Sequence, residues 1–136
     1  MAFDPTRDYP IGLRRPELVT TLAGTPLEDV TLASARTGAL AADEIRASPE
    51  TLSRQAEVAR VAGRPQLAEN LVRAAELATV PDDELLAIYT ALRPGRSTAE
   101  ELGTWAERLE GWGAPRTAAF VREAAVAYGE RGLLGG

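Results

Sequence analysis

The feature that most limits the fold is a regular succession of helix patterns and helix breaks from Ser48 onward. Apolar residues recur there at spacings of three and four, as on one face of an α-helix. The breaks contain proline, which lacks a backbone donor, or glycine, which accepts a left-handed cap. We predict helices over about 48–62, 65–79 and 81–93. A fourth helix follows the segment 97–100 and ends at about residue 110, and a last one runs from Pro115 to Gly129 or Gly132.

Several helix starts carry recognisable signals. Ser48 precedes Pro49, which places a capping hydroxyl before a first-turn proline. Ser97-Thr98-Ala99-Glu100 is interpreted as a capping box in which Glu100 completes the reciprocal hydrogen bonds. The carboxylates at 82–84 could form a metal or acid–base cluster, but acidic residues are expected in a first helical turn because the helix dipole favours them there. We therefore interpret them as a helix start.

The fold class predicted from these patterns is all-α. No segment shows sustained apolar-polar alternation with β-branched enrichment, which argues against a sheet. Short connections favour an irregular bundle of about five or six helices, including a short helix from about Val30 to Thr37. In the last helix we expect five side chains to face inward: Phe120, Val121, Ala124, Ala125 and Tyr128.

Residues 1–27 are predicted to form an extended docking arm. Four prolines, at positions 5, 10, 16 and 26, exclude a long helix. The arm also contains more apolar residues than a solvated tail should, which suggests that it lies on another surface, although a flexible terminus remains an alternative. Residues 28–132 would form the helical domain, and 133–136 a loose tail.

The composition favours a subunit over a free-standing enzyme. Only 5% of the 136 residues are aromatic, while Ala fills 25 positions, so the core contains many small side chains that bury little area each. Packing against a partner would supplement such a core. The net charge of −5 and the absence of an Arg-rich run argue against nucleic-acid binding.

The residue inventory also excludes common catalytic chemistry. The chain has no Cys, His or Lys, so it has no thiolate nucleophile, no imidazole base and no phosphate-binding loop ending in Lys. We expect no catalytic, cofactor-binding or metal-binding residues. No stretch resembles a signal peptide or approaches the length of a membrane span, so we expect a soluble, cytoplasmic protein.

One segment combines aromatic and cationic residues around a tight corner between two predicted helices. It reads Tyr89-Thr90-Ala91-Leu92-Arg93-Pro94-Gly95-Arg96-Ser97-Thr98. Either guanidinium could bind a carboxylate of a partner through two hydrogen bonds. Alternatively, Arg93 could bind the last carbonyls of its own helix while Arg96 is solvated. The residues alone leave both interpretations open.

This segment resembles the signature of the small (gamma) subunits of adenosylcobalamin-dependent propanediol and glycerol dehydratases. Further similarity runs from about Asp8 to Leu133, and includes Asp8-Tyr9-Pro10, Arg46-Ala47-Ser48, Arg73-Ala74-Ala75-Glu76-Leu77 and Phe120-Val121-Arg122-Glu123-Ala124. The chain departs from the family at Gly95, where members usually carry an aromatic residue, and a looser corner is expected there. Many members also have a longer segment before Asp-Tyr-Pro, so no packaging role of that segment is inferred for this chain.

The resemblance implies a heterohexamer with two copies each of large, medium and small subunits, with adenosylcobalamin bound between the large and medium subunits. In the family reaction an adenosyl radical abstracts hydrogen from a vicinal diol, a hydroxyl group migrates, and loss of water gives an aldehyde. The small subunit is expected to clamp the large one. The resemblance does not distinguish propane-1,2-diol from glycerol, and it leaves open a location within a bacterial microcompartment.

Under this interpretation the functional residues are candidates for the partner interface. The first choices are Tyr9, Tyr89, Arg93 and Arg96, followed by Arg73, Arg122 and Glu123. The alternative from another class is a helical adaptor or regulator that kept the fold but lost the dehydratase role. A third hypothesis, an independent carboxylate-based hydrolase, would require turnover by the isolated chain.

Overall fold

A computed structural model describes residues 2–136. These residues form seven α-helices: α1 (Ile11–Arg14), α2 (Leu32–Arg36), α3 (Pro49–Val61), α4 (Pro65–Leu77), α5 (Asp82–Ala91), α6 (Ala99–Gly111) and α7 (Pro115–Arg131). Three short 3₁₀ turns, Pro16–Leu18, Leu27–Asp29 and Ala42–Ile45, lie in the first part of the chain. The described residues contain no strand, which confirms the predicted all-α class.

Contacts divide the chain into two compact units, one ending at Ala78 and the other covering Thr79–Gly136. This division falls between α4 and α5. None of the helices in the described residues is long and apolar enough to cross a membrane.

In the first unit, polar side chains form hydrogen bonds that hold the proline-rich segment, residues 5–26. Asp8 is buried, and its carboxylate accepts hydrogen bonds from the backbone N–H of Asp4 at 3.0 Å and from Arg15 at 2.8 Å. The Asp4 N–H, together with the guanidinium groups of Arg7 and Arg15, holds the pKa of Asp8 below its ordinary value. Arg54 in α3 donates to the carbonyl of Leu18 at 2.6 Å. The Asp8 contacts join positions within the segment, and the Arg54 contact attaches the segment to α3.

The two longest helices of the first unit, α3 and α4, pack against each other through alanine. Ala56, Ala59 and Ala68 are buried between them, with Leu71 and Val72 partly buried against this cluster. Small side chains allow two helix backbones to approach closely, but they contribute little apolar area. The structure thus places the alanine-rich part of the composition at a specific helix contact.

In the second unit, α6 packs against α7 around larger side chains. Leu102 and Leu109 of α6 and Val121 of α7 are fully buried. On the outside of α6, the guanidinium carbon of Arg108 lies 4.5 Å from the ring centroid of Trp105 and 5.4 Å from that of Trp112. Arg108 also pairs with Glu84 of α5 at 2.5 Å, so a single arginine joins α5 to α6.

The two helix pairs repeat the same local geometry 50 residues apart. Helices α3 and α6 begin at Pro49 and Ala99, and α4 and α7 begin at Pro65 and Pro115. The connections match as well, because Gly63 and Gly113 have φ angles of +73° and +75°. In each connection a backbone N–H donates to a carbonyl of the preceding helix: the N–H of Arg64 to the carbonyl of Ala59 at 2.8 Å, and the N–H of Ala114 to the carbonyl of Leu109 at 2.9 Å. The fold therefore contains two versions of one helical hairpin.

Three details differ from the sequence predictions. The capping box of α6 is formed by Thr98 and Glu101, one residue later than predicted, so Glu100 is not part of it. The hydroxyl of Ser97 is instead buried and donates to the carbonyl of Ala91. Phe120, expected to face inward, is 44% exposed because the buried stripe of α7 runs through Thr117, Ala118 and Val121.

Candidate partner interface

The corner between α5 and α6 presents several of the predicted interface residues together. Tyr89 near the end of α5 is 62% exposed, and Arg93 and Arg96 in the connection are also exposed. Neither arginine side chain has a hydrogen-bond or ion-pair partner among residues 2–136. The corner thus displays an aromatic ring and two guanidinium groups that this chain leaves unpaired.

The last carbonyls of α5 are occupied by other donors. Ser97 Oγ donates to the carbonyl of Ala91 at 2.8 Å, and Tyr128 Oη of α7 donates to the carbonyl of Leu92 at 2.6 Å. The structure therefore does not show the alternative in which Arg93 caps its own helix. Because these contacts fix the end of α5 without the arginine side chains, both guanidinium groups are available to a partner.

The corner is also held by the last residues of the chain. The N–H of Gly95 donates to the carbonyl of Leu133 at 2.7 Å, and the N–H of Gly135 donates to that of Ser97 at 2.8 Å. Leu133 and Leu134 are half-buried. Residues 133–136, predicted to form a loose tail, are thus attached to the corner by backbone hydrogen bonds. The glycine at position 95 adopts a φ of +74°, and its N–H is fixed rather than free.

The remaining candidates in α4 and α7 are engaged within their own units. Arg73 is half-buried and donates to the side-chain oxygen of Asn70. Arg122 pairs with Glu110 at 2.7 Å, and this hydrogen-bonded pair lowers the pKa of Glu110 and raises that of Arg122. Glu123 is exposed on α7, one position from this pair. Their internal contacts make Arg73 and Arg122 weaker interface candidates than the corner arginines.

The first unit carries a separate exposed apolar surface, which we name the arm surface. Its members are exposed by 49% to 83%: Tyr9 54%, Leu13 83%, Leu22 49%, Leu32 76% and Ile45 59%. A shallow groove of about 330 Å³ lies among the neighbouring residues Pro16, Glu17, Val19, Thr20, Pro26, Leu27 and Glu28. These exposed side chains are further candidates for the partner interface.

Comparison with known proteins supports a subunit role. The family model described as dehydratase small subunit matches residues 5–135. The chain belongs to this dehydratase small-subunit family. It is 50% identical over 130 residues to the propanediol dehydratase small subunits of Citrobacter freundii and of Salmonella typhimurium, covering 95% of this chain and 76% and 75% of those proteins.

This dehydratase small subunit also contains surface features that sequence reasoning missed. Leu86 is 69% exposed, and it lies off the α5 face on which Leu85, Ile88 and Leu92 recur at helical spacing. Together with Trp105 it lines a groove next to the corner. An additional leucine outside a helical stripe was the available signal for Leu86. The contact between residues 133–135 and the corner had no signal in the local sequence.

The residues of this chain do not fit a corrinoid cofactor. The described residues contain no group of three His, Cys, Asp or Glu that could hold a metal ion by themselves, and the chain has no His. The grooves described for its two units have volumes of about 330 to 430 Å³, at the small end of the range for ligand pockets. A corrin ring with its nucleotide is far larger, so no catalytic step is assigned to this chain.

Proposed function

We propose that this chain is the non-catalytic small subunit of a coenzyme-B12-dependent diol dehydratase, in which it clamps and stabilises the large catalytic subunit. Support comes from the family match and from two relatives named propanediol dehydratase small subunit. The reaction would convert a vicinal diol, with propane-1,2-diol as the first substrate to test, into an aldehyde and water. Adenosylcobalamin, held by the large and medium subunits, would supply the radical that starts it.

The observation that carries the docking role is the pair of unpaired guanidinium groups at the α5–α6 corner. In an acidic chain with 20 carboxylates and 15 arginines, internal pairing would be readily available. Arg93 and Arg96 nevertheless remain exposed without a partner among the described residues, beside the exposed ring of Tyr89. Arginine and tyrosine are the side chains enriched in the energetically dominant parts of protein interfaces.

The arm surface is the second docking region of this proposal. Asp8 holds positions 4 to 15 of the arm together, and Arg54 of α3 holds the carbonyl of Leu18, so the exposed side chains of Tyr9 and Leu13 are carried on an ordered backbone rather than on a mobile tail. Preorganisation lowers the entropic cost of association. We expect the large subunit to cover part of this surface, with two copies of each subunit in the assembly.

Reconstitution from separately purified subunits tests the proposed role. Large and medium subunits are mixed with or without this chain, and cobalamin-dependent aldehyde formation and complex size are measured. We expect the chain to be required for a stable, fully active complex. Full activity and an unchanged complex without it would contradict the proposal and favour the adaptor alternative, whereas turnover by the isolated chain would favour the hydrolase.

An arginine variant locates the interface in the same assay. Simultaneous replacement of Arg93 and Arg96 by Ala should weaken complex formation by a few kcal/mol, because two interfacial hydrogen-bonded charges are lost. The thermal midpoint of the isolated chain should change little, since neither side chain has an internal contact. Arg122→Ala is the matched control, because its guanidinium already pairs with Glu110. Equal losses of binding and of stability in the double variant would show that the two arginines act internally.

A further inference from the structure

The groove beside the α5–α6 corner combines an apolar lining with one cation. It has a volume of about 430 Å³ and is lined by Leu86, Ala87, Thr90, Ala91, Arg96, Ser97, Glu101 and Trp105. Leu86 is 69% exposed and Trp105 is partly exposed. The groove therefore offers apolar contact next to a guanidinium group.

Most polar side chains of this groove are already bound within the second unit. Thr90 Oγ1 donates to the carbonyl of Leu86 at 2.9 Å, and Ser97 Oγ donates to that of Ala91. The carboxylate of Glu101 accepts the N–H of Thr98 at 2.8 Å as part of the capping box. Arg96, in contrast, has no side-chain partner among residues 2–136. The two charged groups of the groove are therefore a carboxylate that is held at the capping box and a guanidinium that is left to bind a ligand.

The backbone of Arg96 is held by the last residues of the chain. The N–H of Gly135 donates to the carbonyl of Ser97, and a Cβ at position 135 would lie 2.9 Å from the carbonyl carbon of Arg96 and 3.0 Å from the nitrogen of Ser97. Those atoms belong to the backbone and cannot turn aside as a flexible side chain would. Only glycine at position 135 therefore allows this close approach.

We propose that this groove receives an acidic segment of the large dehydratase subunit, with an aliphatic side chain against Leu86 and Trp105 and a carboxylate on Arg96. We also propose that Leu133–Gly135 is a positioning segment that fixes the direction of the Arg96 guanidinium. The proposal rests on the subunit role proposed above and adds the chemistry of the partner. Charge complementarity selects this occupant, because an unpaired cation beside apolar surface pairs best with a carboxylate flanked by apolar atoms.

The charge at position 96 is tested by titrating the chain into purified large and medium subunits. Arg96→Ala should weaken binding about tenfold, and Arg96→Glu by roughly a further tenfold, because a carboxylate would then face a carboxylate. Arg36→Glu is the matched control, since Arg36 is also exposed and unpaired but lies in the first unit. It should change affinity less than about threefold, and the salt dependence of binding should decrease in the Arg96 variants but not in this control.

The positioning segment is tested with two neighbouring glycines. Gly135→Ala should weaken binding about as much as Arg96→Ala, and the double variant should be no weaker than either single one, because both act through the same guanidinium group. Gly136→Ala is the control, since nothing lies within 4 Å of a Cβ at that position, and it should bind like the original chain. A chain ending at Gly132 provides a second variant with the same expected loss.

The outcomes separate this proposal from the subunit role. If the chain is needed for the complex but Arg96→Glu binds like Arg36→Glu, the acidic partner segment is refuted while the subunit role stands. Normal binding by Gly135→Ala and by the chain ending at Gly132 would refute the positioning segment. Loss of self-association of the isolated chain in Arg96→Glu, with normal binding to the large and medium subunits, would assign the groove to a second copy of this chain instead.

Discussion

The left-handed glycines of the two hairpin connections lead to a stability prediction. Gly113 joins α6 to α7 with a φ of +75°, and no heavy atom lies within 4 Å of a Cβ built on it. Replacing it with Ala creates no clash, so the cost is that of a left-handed backbone with a side chain, about 1 to 2 kcal/mol. Gly63 has a φ of +73° and the same open surroundings, so the same cost is expected there.

The control lies ten residues earlier on the same hairpin. Gly103 is inside α6, has no positive φ, and also has no heavy atom within 4 Å of a built Cβ. Alanine is preferred to glycine in a helix interior by roughly 1 kcal/mol, so Gly103→Ala should stabilise the protein. The same chemical change is therefore expected to lower stability at position 113 and raise it at position 103.

Urea unfolding of the isolated chain measures both effects. The two tryptophans, Trp105 and Trp112, belong to the unit that contains Gly103 and Gly113, so their fluorescence follows that unit, while circular dichroism follows all helices. The Gly103→Ala and Gly113→Ala variants should differ by about 2 to 3 kcal/mol in the free energy of unfolding. A neutral or stabilising Gly113→Ala, or a Gly103→Ala that destabilises equally, would refute the reasoning from backbone geometry.

Two other predictions follow from polar contacts. Arg108→Ala removes the contacts with Trp105 and Trp112 and the ion pair to α5. It should lower the free energy of unfolding by about 1 to 2 kcal/mol in the same fluorescence assay. Arg108→Lys should recover only part of this stability, and full recovery would show that the planar guanidinium is unimportant. Because the pKa of Asp8 is lowered in the folded chain, its ionised form contributes stability above the unfolded pKa of about 4, and this contribution is lost as pH falls through the folded value. Hydrogen exchange in residues 4–8 should therefore be slower in the original chain than in Asp8→Asn at pH 6, with a difference that shrinks below about pH 4; a difference independent of pH would contradict the assignment.

Local signals predicted the helices well because helix ends are determined by nearby residues. Ser48 and Pro49 begin α3, and the breaks around Gly63 and Gly113 lie where the sequence placed them. The capping box of α6 was misplaced by one residue because Ser97 and Thr98 are both suitable caps. A buried hydrogen bond from Ser97 to the previous helix, which no local pattern shows, decided between them.

The candidate interface was only partly predictable. The sequence pointed to Tyr89, Arg93 and Arg96, but it left open whether Arg93 binds the last carbonyls of its own helix while Arg96 is solvated. Contacts from distant parts of the chain settled this point, since Tyr128 occupies the carbonyl of Leu92 and residues 133–135 hold the backbone beside Gly95. Such contacts join positions 36 to 38 residues apart, beyond the range of any helical period.

By itself, the sequence determined the all-α class, the approximate helix positions and the absence of histidine, cysteine and lysine, because these follow from composition and from interactions within a few residues. Only the tertiary structure decided which apolar side chains remain exposed, such as Leu86 and Phe120, and which arginines are left without partners. Burial and pairing depend on surfaces that meet only after the helices pack. The exposed, unpaired residues that we propose for docking are therefore determined by packing, whereas the helices that carry them are determined by local sequence.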